Sequence, residues 1–534
     1  MRAVSYSSFR MYESDTKLKH ISSRQSPASV RTIVPIVLAV SFLAYLLLLT
    51  KNYYWDGIFF AQVIEDAPRI NATLIHPNHL LDLIFEYVLF RTVRLLGFQA
   101  RALTVLQLSN CVLAAAAVAL FFRICLDWFK SLYVSLVVAA LFAFSATWWR
   151  FATDADTYIG AVLLLLVAFY FLRPGQKTRP FAMAFAHAFA MLLHQLCVFF
   201  FPVAIVGLVL QAKKHGSKNG ARAALKYALS ATALTVGIYY LVFHAAAGSW
   251  SLTRFGAWIT YFSPENGFSF NAAGNLGYTL RSQVRVFLGG RAAFVREFGG
   301  VVIIALAVLT ALATLVFVFV LLRHWKDLKE AFAATAASFS HFRPLTILSA
   351  LWILPYVLFL FFFIPQNVFY RLFYLPAILL LVGSTLATIV DSPGHVRRYR
   401  AALLAGAVFF ANLTFSQYPY TQVRANPPLG LAQKLNRVWP VGTVIYFASV
   451  NTDDSLIRYF NPGTVWVQVA PGDFMKQIEQ LPPSARSAWL DTTLIDQLEI
   501  TAEGRDWLAR HAVRRDDCEL VNLKFRIRFY QMKS

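Results

Sequence analysis

The chain alternates long apolar runs with short basic segments, and this rhythm predicts its architecture. A bilayer-spanning helix needs about 20 mostly apolar residues. Runs at 32–50, 103–122, 131–147, 157–172, 225–246, 299–322, 345–364, 371–390 and 400–416 each predict one crossing. The stretch 181–212 is too long for one span and short for two, and basic residues flank both ends: Arg173, Lys177 and Arg179, then Lys213, Lys214, Lys218 and Arg222. Basic ends on the same, cytoplasmic side require an even number of crossings, so two short helices turning near His194-Gln195 are expected. The segment 79–97 carries Asp82, Glu86, Arg91 and Arg94. Each would cost about 2.5–3.5 kcal/mol near the centre of a lipid-facing span, so this helix is expected to lie flat at the interface. The basic segments 123–130, 173–180, 213–226, 323–343 and 394–400 then all fall inside.

The predicted fold is an all-α polytopic membrane bundle of about eleven transmembrane helices with a small extracytoplasmic C-terminal α/β domain. Residues 1–31 form a cytoplasmic tail, 32–416 the membrane module and 417–534 the soluble domain. The outer loops are 51–102, 148–156, 247–298 and 365–370. The C-terminal region reads as strands TVIYFAS and TVWVQV, helices near 453–460 and 472–481, and a closing strand KFRIRFYQM. It lacks a Gly-rich phosphate loop. Localisation in the cytoplasmic (inner) membrane follows, multi-pass, with the N-terminus inside and the C-terminal domain outside.

Composition agrees. Of 534 residues, 58% are hydrophobic and 14% charged, with mean hydropathy +0.55, too apolar for a soluble protein of this length. The net charge of +22 sits mainly in the short segments between apolar runs, a topological signal rather than a nucleic-acid footprint. The four cysteines imply no disulfide framework.

Ionisable groups gather on the outer side. Asp56 follows the first span in YYWDGIFFAQ; Glu65 and Asp66 come later, then His76 and His79 in HPNHLL. The short second loop WWRFATDAD carries Arg150, Asp154 and Asp156, Arg371 opens the span after QNVFY, and the long loop adds Arg254, Arg281, Arg285, Arg291 and Arg296. Carboxylates facing arginines at a lipid boundary suit one chemistry: an arginine holds a lipid-linked phosphate while a carboxylate takes a proton from a hydroxyl. Asp154-x-Asp156 would also suit a hard cation, although a monophosphate donor needs none, so no cofactor is expected. His76 and His79 have a zinc-like spacing without further ligands, and Pro77 favours a turn-setting role. At the turn between two short helices, His194 is as consistent with a structural role as with a functional one.

The strings WDGIFFAQ, HPNHLL and FSATWWRFATDADTYIG resemble the GT-C superfamily of membrane glycosyltransferases, closest to the protein O-mannosyltransferase-like branch. That branch has an acid just after the first helix, a His-Pro about twenty residues on, an acid-x-Tyr motif in the second loop, and a histidine in a paired-helix segment, which MLLHQLCVFFFP matches at His194. Arg371 in FYRLFYLP resembles an element that contacts the lipid phosphate in related families. Here His76-Pro77-Asn78-His79 stands where His-Pro-Pro-Gly is usual, and Asp156 where the acid is often Glu. The resemblance implies inverting transfer from a polyprenyl-phosphate sugar to a hydroxyl acceptor (protein, lipid or glycan) outside the membrane. Asp56 would be the general base, Arg371 and Arg150 would hold the phosphate, Asp156 would orient the acceptor or the arginines, and His194 would reach the sugar or phosphate, with Asp154, Glu65, His76 and His79 as further substrate-binding candidates. A flippase for a lipid-linked glycan would need polar residues lining a path through several helices, whereas the polar groups cluster at one face. A scaffold built around the C-terminal domain would leave the acid–arginine clustering unexplained.

Overall fold

The computed structural model describes residues 27–214, 216, 219–260, 267–323, 335–390, 395–449, 452–480, 488–522 and 524–533. Residues 1–26 of the expected cytoplasmic tail and 324–334 of the basic segment 323–343 lie outside the described residues.

Among the described residues six helices are long and apolar enough to cross a membrane: Ala102–Phe129, Gln195–Lys214, Gly220–Ala247, Val301–Arg323, Arg343–Phe362 and Tyr399–Tyr420. Leu132–Ala143 and Ala146–Ala152 join at a 66° bend and together meet the same test. Four shorter apolar helices accompany them: Arg31–Leu47, Tyr158–Tyr170, Pro180–Leu193 and Leu375–Val390. The chain is an integral membrane protein. The stretch 181–212 forms two helices meeting at His194.

Lipid offers no hydrophobic drive for helix association, so close packing of small residues must supply it. The central helix, Ala102–Phe129, does this with buried Ala114, Ala115, Ala117 and Ala119. It packs against Arg31–Leu47, Leu132–Ala143 and Tyr158–Tyr170. Gly383 lies so close to the Phe129 ring that a Cβ would sit 2.4 Å from it. Val301–Arg323 is apolar all round and largely exposed, as a lipid-facing helix at the edge of the bundle must be.

Where helices break, side chains replace the lost backbone partners, because an unsatisfied carbonyl at this depth is costly. Asn412 Nδ2 donates to Phe144 O at the 66° bend (2.8 Å) and to Phe287 O (2.7 Å), while its Oδ1 accepts from Gly289 N (3.1 Å). A π-helical turn at Leu413–Gln417 follows, and its Phe415 O accepts from Arg291 N (2.8 Å).

The segment expected to lie flat forms the helix Asp82–Leu95. It turns Asp82 and Glu86 inward, where Ser109 Oγ donates to Glu86 Oε1 (3.0 Å), and leaves Arg91 and Arg94 exposed. The last short span begins at Leu375, not 371; Phe369–Phe373 is a 3-10 turn.

The C-terminal region is a five-stranded sheet of β1 (Val444–Phe447), β2 (Val465–Gln468), β3 (Ala488–Leu490), β4 (Ala512–Val521) and β5 (Arg526–Met532), in the order β2-β1-β3-β5-β4. β1 runs parallel to β2 and β3, and β5 antiparallel to β3 and β4. Helices Thr452–Phe460 and Pro471–Gln480 match expectation. Sequence reading did not anticipate β3, β4, Pro427–Val438, Thr492–Ile500 or Ala502–His511. β3 is three residues long, and β4 carries the charged string RRDDCE, which hides alternation.

Gly290 has φ +83°, and a Cβ there would lie 1.6 Å from Phe415 O. Gly290→Ala is therefore expected to destabilise the fold by more than the ~1–2 kcal/mol of an alanine in left-handed backbone. The check is thermal unfolding in detergent, where the midpoint should fall by several degrees.

Candidate active site

Two outer loops meet on a polar stripe of the central helix. Gln107 Nε2 donates to Thr50 O and Thr153 O, both at 2.9 Å. One turn further, Asn110 Nδ2 donates to Asp154 O (2.8 Å) and Asp156 O (2.7 Å). The amides thus fix the start of the first outer segment against the loop 153–156. Helix Trp55–Asp66 starts from this junction. Asp154 Oδ2 accepts the N–H of Tyr54 at its N-terminus (2.9 Å) and Oδ1 that of Ala155 (2.9 Å). Gly57 allows the contact, since a Cβ there would stand 2.0 Å from Ala155 O. Asp56, in the first turn, is thereby held beside the loop.

Asp56 faces a cavity of about 1140 Å³, whose lining also includes His76, His79, Arg150, Arg285 and Tyr370. A drug-sized ligand occupies a pocket of roughly 300–1,000 Å³, so the cavity lies just above the upper end of that range. Opposite charge enters from Arg150, whose guanidinium lies 5.4 Å from the Tyr420 ring centre and 6.0 Å from that of Tyr54. Arg150 Nε makes no hydrogen bond among the described residues. Arg285 belongs to helix Ala272–Phe287, and its carbonyl accepts from Thr147 Oγ1 (3.2 Å).

Burial, then the charge of Asp154, pushes the Asp56 carboxyl up to about 7. Asp154 is raised to about 6 by burial, opposed first by Arg150. Asp156 is raised by burial and by Asp56 and Asp154. Burial lowers His76 to about 4 and His79 to about 3, so both imidazoles are neutral near pH 7. They can hydrogen-bond, as His79 Nδ1 does with Thr157 Oγ1 (3.0 Å), but the arginines must supply positive charge.

The structure brings Asp56, Arg150, His76 and His79 to one cavity. Asp154 and Asp156 lie behind its wall, fully buried or nearly so. Asp156 Oδ1 accepts from Thr157 N (2.7 Å), and its Oδ2 has no hydrogen-bond partner among the described residues. Both oxygens of Asp154 already hold backbone N–H groups. No group of three His, Cys, Asp or Glu among the described residues is arranged to bind a metal. His194 is buried outside the cavity lining; its Nδ1 accepts from Leu196 N (3.1 Å), capping a 3-10 turn, and its ring meets His79 edge-on, 4.7 Å between centres.

Two further residues expected at the substrate also lie outside the cavity lining. Arg371 is 1% exposed and donates to Asn367 O (3.1 Å), Pro365 O (2.8 Å) and Tyr374 Oη (2.7 Å). It fixes its own turn to the loop just before it, whose carbonyls take its N–H groups. Glu65 is bound by Arg101 Nε (2.8 and 2.9 Å), Ala102 N (2.7 Å) and Tyr459 Oη (2.9 Å). It joins the helix to the C-terminal domain. Sequence reasoning passed over Gln107, Asn110 and Tyr370, gave Tyr158 no role beyond the motif, and left Arg285 undistinguished among the loop arginines. The available signal was LQLSN, amides three apart in an otherwise apolar span.

These features define an integral membrane protein with an acid–arginine cavity. The fold is similar to that of ArnT from Cupriavidus metallidurans. Against the crystal structure of ArnT bound to undecaprenyl phosphate, the TM-score is 0.58 at 11% identity, covering 94% of this chain and 98% of that one. Against the apo state it is 0.57 at 12% identity, with the same coverage. No family model matches the sequence, and no curated protein sequence matches it.

Asp56 is expected to titrate near pH 7. Infrared difference spectra of wild type against Asp56→Asn should show a protonated-carboxyl band that disappears as pH rises through about 7. A band already absent at pH 5 would refute the assignment.

Proposed function

We propose that the protein is a membrane glycosyltransferase that moves a sugar, with inversion, from a polyprenyl-phosphate donor to a hydroxyl acceptor. One observation carries the reading: a half-buried carboxyl, Asp56, shares a cavity of about 1140 Å³ with Arg150 and Arg285. The acceptor oxygen attacks the anomeric carbon as Asp56 takes the hydroxyl proton. The bond from that carbon to the phosphate oxygen breaks, and the lipid phosphate leaves with the electron pair. Arg150 and Arg285 stabilise the charge that develops on it. The phosphate is already a good leaving group, so positive charge matters more than a general acid. ArnT, similar in fold, has been crystallised with undecaprenyl phosphate, which supports a polyprenyl-phosphate donor here.

The finer assignments belong to the same proposal. The motif resemblance favours a hexosyl, mannosyl-type donor. The basic segments favour about eleven crossings, with the N-terminus cytoplasmic and both the cavity and the C-terminal domain outside the inner membrane.

The test is transfer from a panel of radiolabelled polyprenyl-phosphate sugars to membrane extract by purified wild type and Asp56→Asn. Wild-type transfer should be lost in the variant while donor still binds. Asp56 acts as the carboxylate, so kcat/KM should rise about tenfold per pH unit up to about pH 7 and then level. Gly57→Ala, which forces the helix off Ala155, should reduce turnover by about a hundredfold, the scale of a 1 Å misplacement. Absence of transfer from every donor, with Asp56→Asn behaving as wild type in cells, would sink the reading.

A further inference from the structure

We infer that the C-terminal domain is a positioning clamp for the helix that carries Asp56, acting through Tyr459 on Glu65. The inference rests on the proposed role of Asp56 as base. Helix Trp55–Asp66 is held at its start by Asp154, on the membrane module. At its other end Glu65 takes its hydrogen bonds from three directions: Arg101 Nε, Ala102 N and Tyr459 Oη.

Tyr459 is the hub of this junction. Its hydroxyl donates to Glu65 Oε1 (2.9 Å) and accepts from Leu103 N (3.0 Å), at the first turn of the central span. Its carbonyl accepts from Arg101 Nη2 (2.8 Å), and the same guanidinium lies 4.1 Å from the centre of its ring. The neighbouring Phe460 stacks on Tyr53, 6.0 Å between ring centres, just ahead of the helix. One helix of the soluble domain, Thr452–Phe460, thus touches the Asp56 segment at both ends. Between the ends, Ile58, Ala61 and Ile64 share one apolar core with Leu429, Leu435 and Ile457.

An anchor that only attached the domain would need no contact with the Asp56 helix. Here the contacts converge on it, and charge-assisted hydrogen bonds to a partly buried carboxylate are the strong, directional kind. Without Tyr459 the far end of the helix keeps only the Arg101 and Ala102 hydrogen bonds on Glu65, and the helix can tilt about its Asp154 end, shifting Asp56 from its buried setting.

The test compares wild type, Tyr459→Phe and Glu65→Gln in detergent by two independent readouts. Hydrogen–deuterium exchange follows residues 55–66, and transfer kinetics follow kcat, donor KM and the pH midpoint. Leu508→Ala, in a separate apolar core of the C-terminal domain, controls for general destabilisation. The clamp predicts faster exchange across 55–66 in Tyr459→Phe and Glu65→Gln. It also predicts about a tenfold drop in kcat, below the full cost of a 1 Å displacement, with donor KM unchanged. The pH midpoint should move down, because a loosened Asp56 is better solvated and further from Asp154; Leu508→Ala should leave it in place. Wild-type exchange over 55–66 together with an unmoved midpoint would overturn the clamp, even if the melting temperature fell. If the wild type transfers no sugar, the exchange readout alone decides the clamp.

Discussion

The cavity depends on two amides inside a membrane-spanning helix. Gln107 and Asn110 hold four carbonyls of the outer segments, where the chain has left regular helix and those carbonyls have no intrahelical partner. At such a depth an unsatisfied carbonyl is expensive, so the loops have one low-energy arrangement against the span. That arrangement brings Thr50 next to Thr153 and sets Tyr54 on the Asp154 carboxylate. Asp56 then follows by two residues of chain. Asn412 performs the same service on the opposite side, tying the break at Phe144 to the segment after Arg285. Both walls of the cavity are built by amide side chains that complete a broken backbone.

The electrostatics follow from this burial. Three carboxyls, Asp56, Asp154 and Asp156, are packed close enough to raise one another. Like charges sharing a low-dielectric site do not all ionise together. Asp154 is the member with a reason to stay charged: two backbone N–H groups and Arg150 face it. Asp56, raised to about 7, is left poised to exchange a proton near neutral pH, the property a general base needs. The histidines at the cavity are too desolvated to carry charge, so they shape the cavity rather than its potential.

The bundle was legible because apolar runs and basic gaps are long-range, redundant signals. The bend at 181–212 could be read from charge parity alone. Asp56 was legible through position and motif. Other residues were not, because sequence shows an ionisable group but not its partners. Glu65 was grouped with the outer acids on proximity to Asp56; its carboxylate is committed to Tyr459, nearly four hundred residues away in the chain. The inner faces of Gln107 and Asn110 sit in a span whose average hydropathy conceals them. In the C-terminal domain, β1 and β2 were readable as apolar runs, whereas the charged residues of β4 broke the alternation that would have revealed it.

The two arginines show why partners decide function. Arg371 resembles a phosphate-contacting element, yet three of its N–H groups are bound by Asn367, Pro365 and Tyr374. Releasing them to bind an anion would strip Asn367 O of its donor, at about 1–3 kcal/mol, and leave Pro365 O with Ser282 Oγ alone, which would offset much of the gain. Arg150 is different. It rests among the rings of Tyr54, Phe151 and Tyr420 at 5.4–6.0 Å, contacts that orient a guanidinium without consuming its in-plane donors. Its Nε is buried without a hydrogen-bond partner among the described residues, so an arriving phosphate would satisfy a donor already stripped of water. That asymmetry, and not the motif, is the reason the proposed function gives the phosphate to Arg150 and not to Arg371.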